Sequence, residues 1–378
     1  MKVQQVIQAI EALAPPGYAY SWDRVGLHTG RPDQDVHTAL VALTVTQEVL
    51  DAALQTGAEM VVSHHPLIWE PFKSLREDYA ESRLALDIAR ARIACYAAHT
   101  NLDVVPGGVN TVLAERLGLI EIKPLLTVVH ADFVKLVTFV PQADLEDVRT
   151  AICEAGAGVI GDYSYCTFAT QGVGTFLPGE NASPYSGRKH ELNEEREIRL
   201  ETLLPTVKIP AVIEALVGAH PYEEPAYDLF RIANPSPNVS LGLRGRLAQS
   251  MLLREFASHV CDALEIPYTQ MIGAGDEPVQ EVAVLGGAGG SSVNQIPLDV
   301  DVYVTGDVKY HEAISAREKG LAVIDAGHHG TEKWIVPALV DYLEKTLPDL
   351  RVVPFMEAPV FELVQPKSAA ARSRSFFH

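Results

Sequence analysis

The chain has 378 residues, 47% of them apolar and 21% charged, which is enough for two or three packed units and argues against wholesale disorder. Forty-nine acidic against 30 basic residues give a net charge of -19, which disfavours non-specific nucleic-acid binding while leaving room for an anionic small molecule held through a local cation. No run nears the ~20 apolar residues of a membrane span. The first helix, within residues 1–16, lacks a signal peptide's apolar core. Cys95, Cys153, Cys166 and Cys261 form no CxxC. A cytoplasmic, reducing setting is expected.

In chain order, strands are expected at Thr38–Leu43, Ala58–Val62 and Ile93–Ala98, and helices at Gln47–Gln55, Glu81–Ala91 and Val109–Leu117. Short apolar strands alternating with helices predict βαβ units and a mainly parallel sheet. From residue 128 the pattern changes. Strands at Val134–Val140, Ser164–Thr170, Gly172–Leu177, Ile198–Leu204 and Ala226–Phe230, with helices at Ala143–Ala155 and Lys208–Val217, predict an α+β unit of ferredoxin-like type. Asn234-Pro235-Ser236-Pro237 reads as a linker. The α/β pattern then resumes, with strands at Glu281–Leu285, Asp301–Val304, Leu321–Ile324 and Arg351–Val353 and helices at Met251–Leu264, Val308–Lys319 and Thr331–Glu344. The expected architecture is one discontinuous α/β body, residues 1–127 and 234–366, interrupted by an insert at 128–233 and followed by a loose tail at 367–378.

Three strand ends carry metal-ligand chemistry. After Val61-Val62-Ser63 come His64 and His65, and Pro66 stops the ladder. Adjacent side chains on a strand point to opposite faces, so a histidine pair at a strand end can straddle two ions; a hydrogen-bonded surface pair is the plainer alternative. Strand Ile93–Ala98 opens into His99-Thr100-Asn101-Leu102-Asp103, where Asp103 can bridge ions or cap a helix and His99 can orient a ligand. His328 and Glu332, four apart, follow the third strand end. Ligands gather beyond the carboxyl ends of parallel strands, so His64, His65, Asp103, His328 and Glu332 are expected to form one metal site. Five nitrogen and oxygen ligands exceed what one open catalytic ion needs. They suit two divalent ions about 3.5–4 Å apart, with Asp103 and Glu332 as bridges; Zn fits this donor set first, then Fe, Mn, Co or Ni.

Asp307, Lys309 and His311 open the next helix and read either as acid–base groups of the cavity or as a solvated helix face. Gly286–Ser292 could cradle an anion or form a tight βα turn. His220–Tyr227 reads as a fixed turn with a structural or subunit-contact role.

Together the segments Trp22-Asp23-Arg24-Val25-Gly26-Leu27, Ser63–Ile68, His99–Asp103, Gly306–His311 and Gly327–Glu332 resemble the Nif-three-like family of dinuclear metal-centre proteins, whose bacterial members carry the label GTP cyclohydrolase 1 type 2 homolog. Arg24 and Thr44 depart from the family pattern, which has Asn and Asp there. The resemblance implies the same five metal ligands, a CutA/PII-like insert and a toroidal homohexamer with metal sites facing an internal cavity. It also implies hydrolysis, in the label's case GTP ring opening. His311, His99, Asp307 and Lys309 are the catalytic candidates for a metal-dependent hydrolase of a nucleotide-like or phosphorylated molecule. The alternative is a non-catalytic metal carrier or regulatory scaffold.

Overall fold

A computed structural model describes residues 1–127, 133–232, 234 and 239–364. The expected boundaries at 128 and 233, most of the linker and the tail at 367–378 lie outside the described residues. The chain divides into two compact units, residues 1–128 with 237–378, and residues 129–236.

Among its described residues the first unit holds two sheets; against the expectation of mainly parallel sheets, only one is mainly parallel and the other is mixed, with three antiparallel pairs and two parallel ones. One has the strand order Gly26–Thr29, Ala94–Ala97, Met60–Ser63, Thr38–Ala42, Arg351–Phe355. Its last four strands run parallel, and the short first strand is antiparallel to Ala94–Ala97. Thr38–Ala42, Met60–Ser63 and Ala94–Ala97 are buried throughout, which is why they read as unbroken apolar runs rather than alternating ones. Helix Gln47–Thr56 starts where the Thr46 hydroxyl accepts from the Val49 N–H, and ends at Gly57 in the left-handed region (φ 70°). Helix Val3–Leu13 buries Val3, Val6, Ile7 and Ile10, the i, i+3, i+4, i+7 stripe of an amphipathic helix. Helix Ile335–Thr346 joins the same apolar core through Ile335, Val336, Leu339 and Leu343. Strand Arg351–Phe355, from the end of the chain, pairs with Thr38–Ala42 near its start, so the two halves are interleaved.

The other sheet has the order Gln270–Ile272, Ala322–Asp325, Val302–Thr305, Pro278–Val284, Ser240–Leu252, Ile120–Thr127. Its middle three neighbours, Ala322–Asp325, Val302–Thr305 and Pro278–Val284, are parallel, and the remaining pairs are antiparallel. Four strands of the first unit escaped the sequence pattern: Gly26–Thr29, Ile120–Thr127, Ser240–Leu252 and Gln270–Ile272. In Ser240–Leu252 the buried residues are Ser240, Gly242, Gly245 and Leu247, and none is buried from Ala248 on, so no apolar run marks the strand; a Cβ at Gly242 or Gly245 would meet backbone of the neighbouring strands. The expected helix Thr331–Glu344 is two, His328–Glu332 and Ile335–Thr346. The helix expected from Val308 starts at Tyr310 and leaves Asp307 before it in a left-handed conformation (φ 55°).

In the second unit the order is strand Phe133–Pro141, helix Leu145–Glu154, strands Thr167–Phe176 and Asn193–Pro205, helix Ile209–Ala219, strand Tyr227–Arg231. The sheet order is Thr167–Phe176, Asn193–Pro205, Phe133–Pro141, Tyr227–Arg231, antiparallel throughout. The two strands expected around Gln171-Gly172 are a single one. Gly172 pairs with Glu197 in unbroken register, so the glycine makes no turn. Leu136, Leu200, Val148, Ile152, Val212 and Leu216 fill the space between this sheet and its helices.

Candidate metal centre

The fold carries the chemistry to strand ends. His64 and His65 follow Met60–Ser63, and His99 and Asp103 follow the neighbouring parallel strand Ala94–Ala97, with Asp103 on the short helix Thr100–Asp103. His328 and Glu332 belong to the helix after Ala322–Asp325, a strand of the other sheet. The expectation of three strand ends in one sheet is therefore corrected: two sheets of one unit each offer their carboxyl ends to a common cluster. Strand ends from two sheets can bring ligand atoms to an ion from more than one side.

The ligand atoms form three overlapping groups, within each of which the atoms lie within 4.8 Å of one another: His64, His65 and His99; His65, His328 and Glu332; His64, Asp103 and Glu332. Glu332 belongs to two of them. Its Oε2 lies 3.0 Å from both His65 Nε2 and His328 Nε2, and its Oε1 lies 3.8 Å from His64 Nε2. His64 Nε2 and Asp103 Oδ1, 3.6 Å apart, are buried with no hydrogen-bond partner among the described residues. A buried polar atom without a partner is costly, so this pair is a place built for something that binds lone pairs.

The other ring nitrogen of each histidine is held. His64 Nδ1 meets the Ala98 carbonyl at 2.9 Å, and His65 Nδ1 meets Thr44 Oγ1 at 2.7 Å. His99 Nδ1 meets Asp23 Oδ1 at 2.8 Å, and His328 Nδ1 meets Asp307 Oδ2 at 2.7 Å. An Nδ1–H donated to oxygen fixes the tautomer that leaves an Nε2 lone pair for a metal. These residues therefore fit divalent ions: four oriented imidazoles and two carboxylates, with no thiolate.

The electrostatics agree with a cluster that holds protons when empty. Burial alone would lower the His64 imidazolium, but Asp103 and Glu332 outweigh it and hold it up at about 9. The Glu332 bond does the same for His328, also to about 9, helped by Asp307 against burial. Burial pushes His65 down and raises Asp103 to about 6. Burial would raise Glu332 too, yet the bonds from His328 and His65 and the nearby charge of His64 hold it well below the usual range. Asp23 is likewise held below the usual carboxylate range by His99 and Thr100 despite its burial.

Asp307 enters through its contact with His328 rather than from the helix face expected for it, because it precedes that helix. His311 and Lys309 are exposed and belong to none of the three ligand groups. Trp69 and Trp22 stand edge-on to His99, with ring centroids at 5.5 and 6.5 Å. The Gly286–Ser292 loop is no anion cradle at its start: the Gly286 N–H donates to Asn110 Oδ1 and the Gly287 N–H to Thr331 Oγ1. Its service is space. A Cβ on Gly287, whose φ is +68°, would lie 2.1 Å from Glu332 Oε1. Asn110 carried no motif, Thr44 stood out only as a departure from the family pattern, and Gly287 only as part of the glycine loop. Thr44 could have been found by the same strand-end argument, since it follows Thr38–Ala42.

An α/β unit whose facing strand ends gather histidines and carboxylates defines a class of protein with a candidate metal centre. The chain belongs to the Duf34/NIF3 (NGG1p interacting factor 3) family, whose model matches residues 1–359. It is 40% identical over 347 residues to a GTP cyclohydrolase 1 type 2 homolog of Halalkalibacterium halodurans, covering 92% of this chain and 93% of that one. It is also 40% identical to the Bacillus subtilis protein of the same description, over 86% of this chain and 88% of that one. The solved structure of a Bacillus cereus protein related to NIF3 superposes with a TM-score of 0.82 at 38% identity, covering 96% of this chain and 99% of that one.

Proposed function

We propose that the chain is a dinuclear metal-dependent hydrolase of a small nucleotide-like or phosphorylated molecule. The observation that carries this is the sharing of Glu332 between the groups His65–His328–Glu332 and His64–Asp103–Glu332. One carboxylate can then serve two ions, one on each side, with Asp103 the second carboxylate of the cluster. Bound divalent ions supply Lewis acidity and make water a nucleophile near neutral pH. The chain's own part is to hold His64, His65 and His328 in one tautomer and to offer His99 as the proton carrier. Asp23 holds His99 Nδ1, so its Nε2 can take up or release a proton. This favours His99 over the exposed His311 and Lys309 for that task.

The printed name of the relatives mentions GTP cyclohydrolase, and that supports nucleotides as the first compounds to assay. The same reading includes a cytoplasmic homohexamer, with the second unit as a ferredoxin-like, CutA/PII-like insert. The strand order of that unit and its two helix crossovers support the ferredoxin-like part. Light scattering at six chain masses is the expected result for the assembly.

The enzyme reading is tested with metal-replete protein assayed against GTP, other nucleotides and phosphoesters, beside His65→Ala. Turnover should fall at least ~10–100-fold in the variant, the loss already typical when only a group that orients a metal ligand is removed. Turnover that is equal in both proteins, or absent, sinks the enzyme reading and leaves a metal-binding carrier. Elemental analysis should find about two metal equivalents per chain, as a two-ion site requires, and Glu332→Ala should lower both.

A further inference from the structure

His65 and His328 face a cavity of about 790 Å³ whose walls do not match the phosphate end of a nucleotide. Ile266, Tyr268, Phe355, Met356 and Phe361 form an apolar side. The charged residues that line it are carboxylates beside the histidines: Glu48, Asp307, Asp325 and Glu357; among the described residues neither Lys nor Arg lines it. The metal cluster offers little spare positive charge. Asp103 and Glu332 would be ligands, while Asp23 and Asp307 bond to His99 and His328 beside them. These four carboxylates cancel the formal charge of two divalent ions. A triphosphate entering here would meet further carboxylates with nothing to neutralise it.

The carboxylates differ in what they have left to offer. Asp325 is saturated by backbone, its two oxygens accepting from the Val308 and Gly327 N–H groups at 2.9 Å. Glu357 Oε1 accepts the Thr44 N–H at 2.7 Å, but Glu357 Oε2 is buried and has no hydrogen-bond partner among the described residues. Thr44 also holds His65 Nδ1 through its hydroxyl, so one residue ties the unsatisfied oxygen to the metal cluster. A buried acceptor with no partner discriminates strongly between ligands that bring a donor and those that do not.

We infer that the cavity takes the uncharged ring of its ligand, a ring amide carrying an N–H donor, with any phosphates left outside. Glu357 is the specificity-determining contact that accepts that N–H. This rests on the metal-hydrolase reading and says which end of a nucleotide-like molecule enters.

The test is binding, measured by calorimetry at about pH 8 on full-length, metal-loaded protein. The probes are uridine and guanosine, 3-methyluridine and 1-methylguanosine, and UTP and GTP. At least one nucleoside should bind as tightly as its triphosphate. Its N-methylated form should bind about ten-fold more weakly, the scale of one hydrogen bond to a charged group. Glu357→Ala should weaken the nucleoside by the same factor and leave the N-methylated form unchanged. Glu357→Gln, which presents an amide nitrogen to the donor, keeps the side chain's shape and carries the test if the alanine variant fails to fold. Metal content and melting temperature of Glu357→Gln should match the parent, because its amide oxygen still accepts the Thr44 N–H.

Triphosphates that bind ten-fold or more tightly than nucleosides overturn the inference. So does failure of every nucleoside to bind, or an unchanged affinity in both Glu357 variants. If the binding pattern holds and turnover is absent, the hydrolase reading alone falls. If phosphoesters turn over and affinity follows phosphate number, this inference alone falls.

Discussion

At the residue scale, the candidate centre depends on groups that touch the ligands as much as on the ligands. His328 is aimed by Asp307 and His65 by Thr44. Removing such a partner typically costs ~10–100-fold in metal affinity. Asp307→Asn and Thr44→Val should each weaken metal binding within that range in a chelator competition, while the fold stays intact. Gly287 makes a sharper case, because both its left-handed backbone and the Glu332 carboxylate oppose a side chain. Gly287→Ala should cost ~1–3 kcal/mol in thermal unfolding, the scale of local backbone strain, and lower metal content. The sign of the pH dependence follows from the empty cluster. His64 and His328 hold protons up to about 9, and each must lose one to present its lone pair. Apparent metal affinity should therefore rise with pH, about ten-fold per unit for each proton displaced, and level off above about 9. An affinity that is flat between neutral pH and that point would contradict the picture.

At the scale of elements, the centre is set by how short helices leave their strands. Asp103 sits at the end of a four-residue helix, Thr100–Asp103, too short to be stable by itself. It is pinned from both sides. Leu102 is fully buried in the core, and the Asn110 side-chain N–H donates to the Asp103 carbonyl at 2.8 Å. Leu102→Ala should cost ~2–5 kcal/mol, as other buried Leu truncations do. Because Leu102 adjoins Asp103, metal content should fall along with the melting temperature. Leu113→Ala, buried in a different core cluster, provides the comparison: similar destabilisation with less effect on metal.

At the scale of the molecule, the site and the second unit are separable on paper. His64, His65, Asp103, His328 and Glu332 all belong to the first unit. Strands Ile120–Thr127 and Ser240–Leu252 are antiparallel neighbours, and Thr127 lies opposite Ser240 in the register. The intervening residues therefore leave and re-enter at the open end of a hairpin, a position where long insertions cost little. Replacing residues 128–239 by a two-residue Asn-Gly turn, the connection that suits such a pair, should yield a folded protein that retains its metal. Loss of metal binding in a folded, shortened chain would show that the second unit supports the centre.

Much of this was legible in the residues. The buried parallel strands are continuous apolar runs, and the candidate ligands stand at their ends or on the short helices that follow. His64, His65, Asp103, His328 and Glu332 could thus be picked out one by one. What the residues could not reveal was that they belong to the ends of two sheets, because pairing such as Arg351–Phe355 with Thr38–Ala42 joins segments some 300 residues apart. Nor could they reveal that Glu357 lines the same cavity, or that Asp307 and Thr44 hold His328 and His65. Side chains of ordinary type at unremarkable positions acquire a role only when distant backbone brings a histidine, or an unsatisfied oxygen, to meet them. Periodicity is local and decides which segments are strands; the meeting of their ends is long-range and was decided by packing alone.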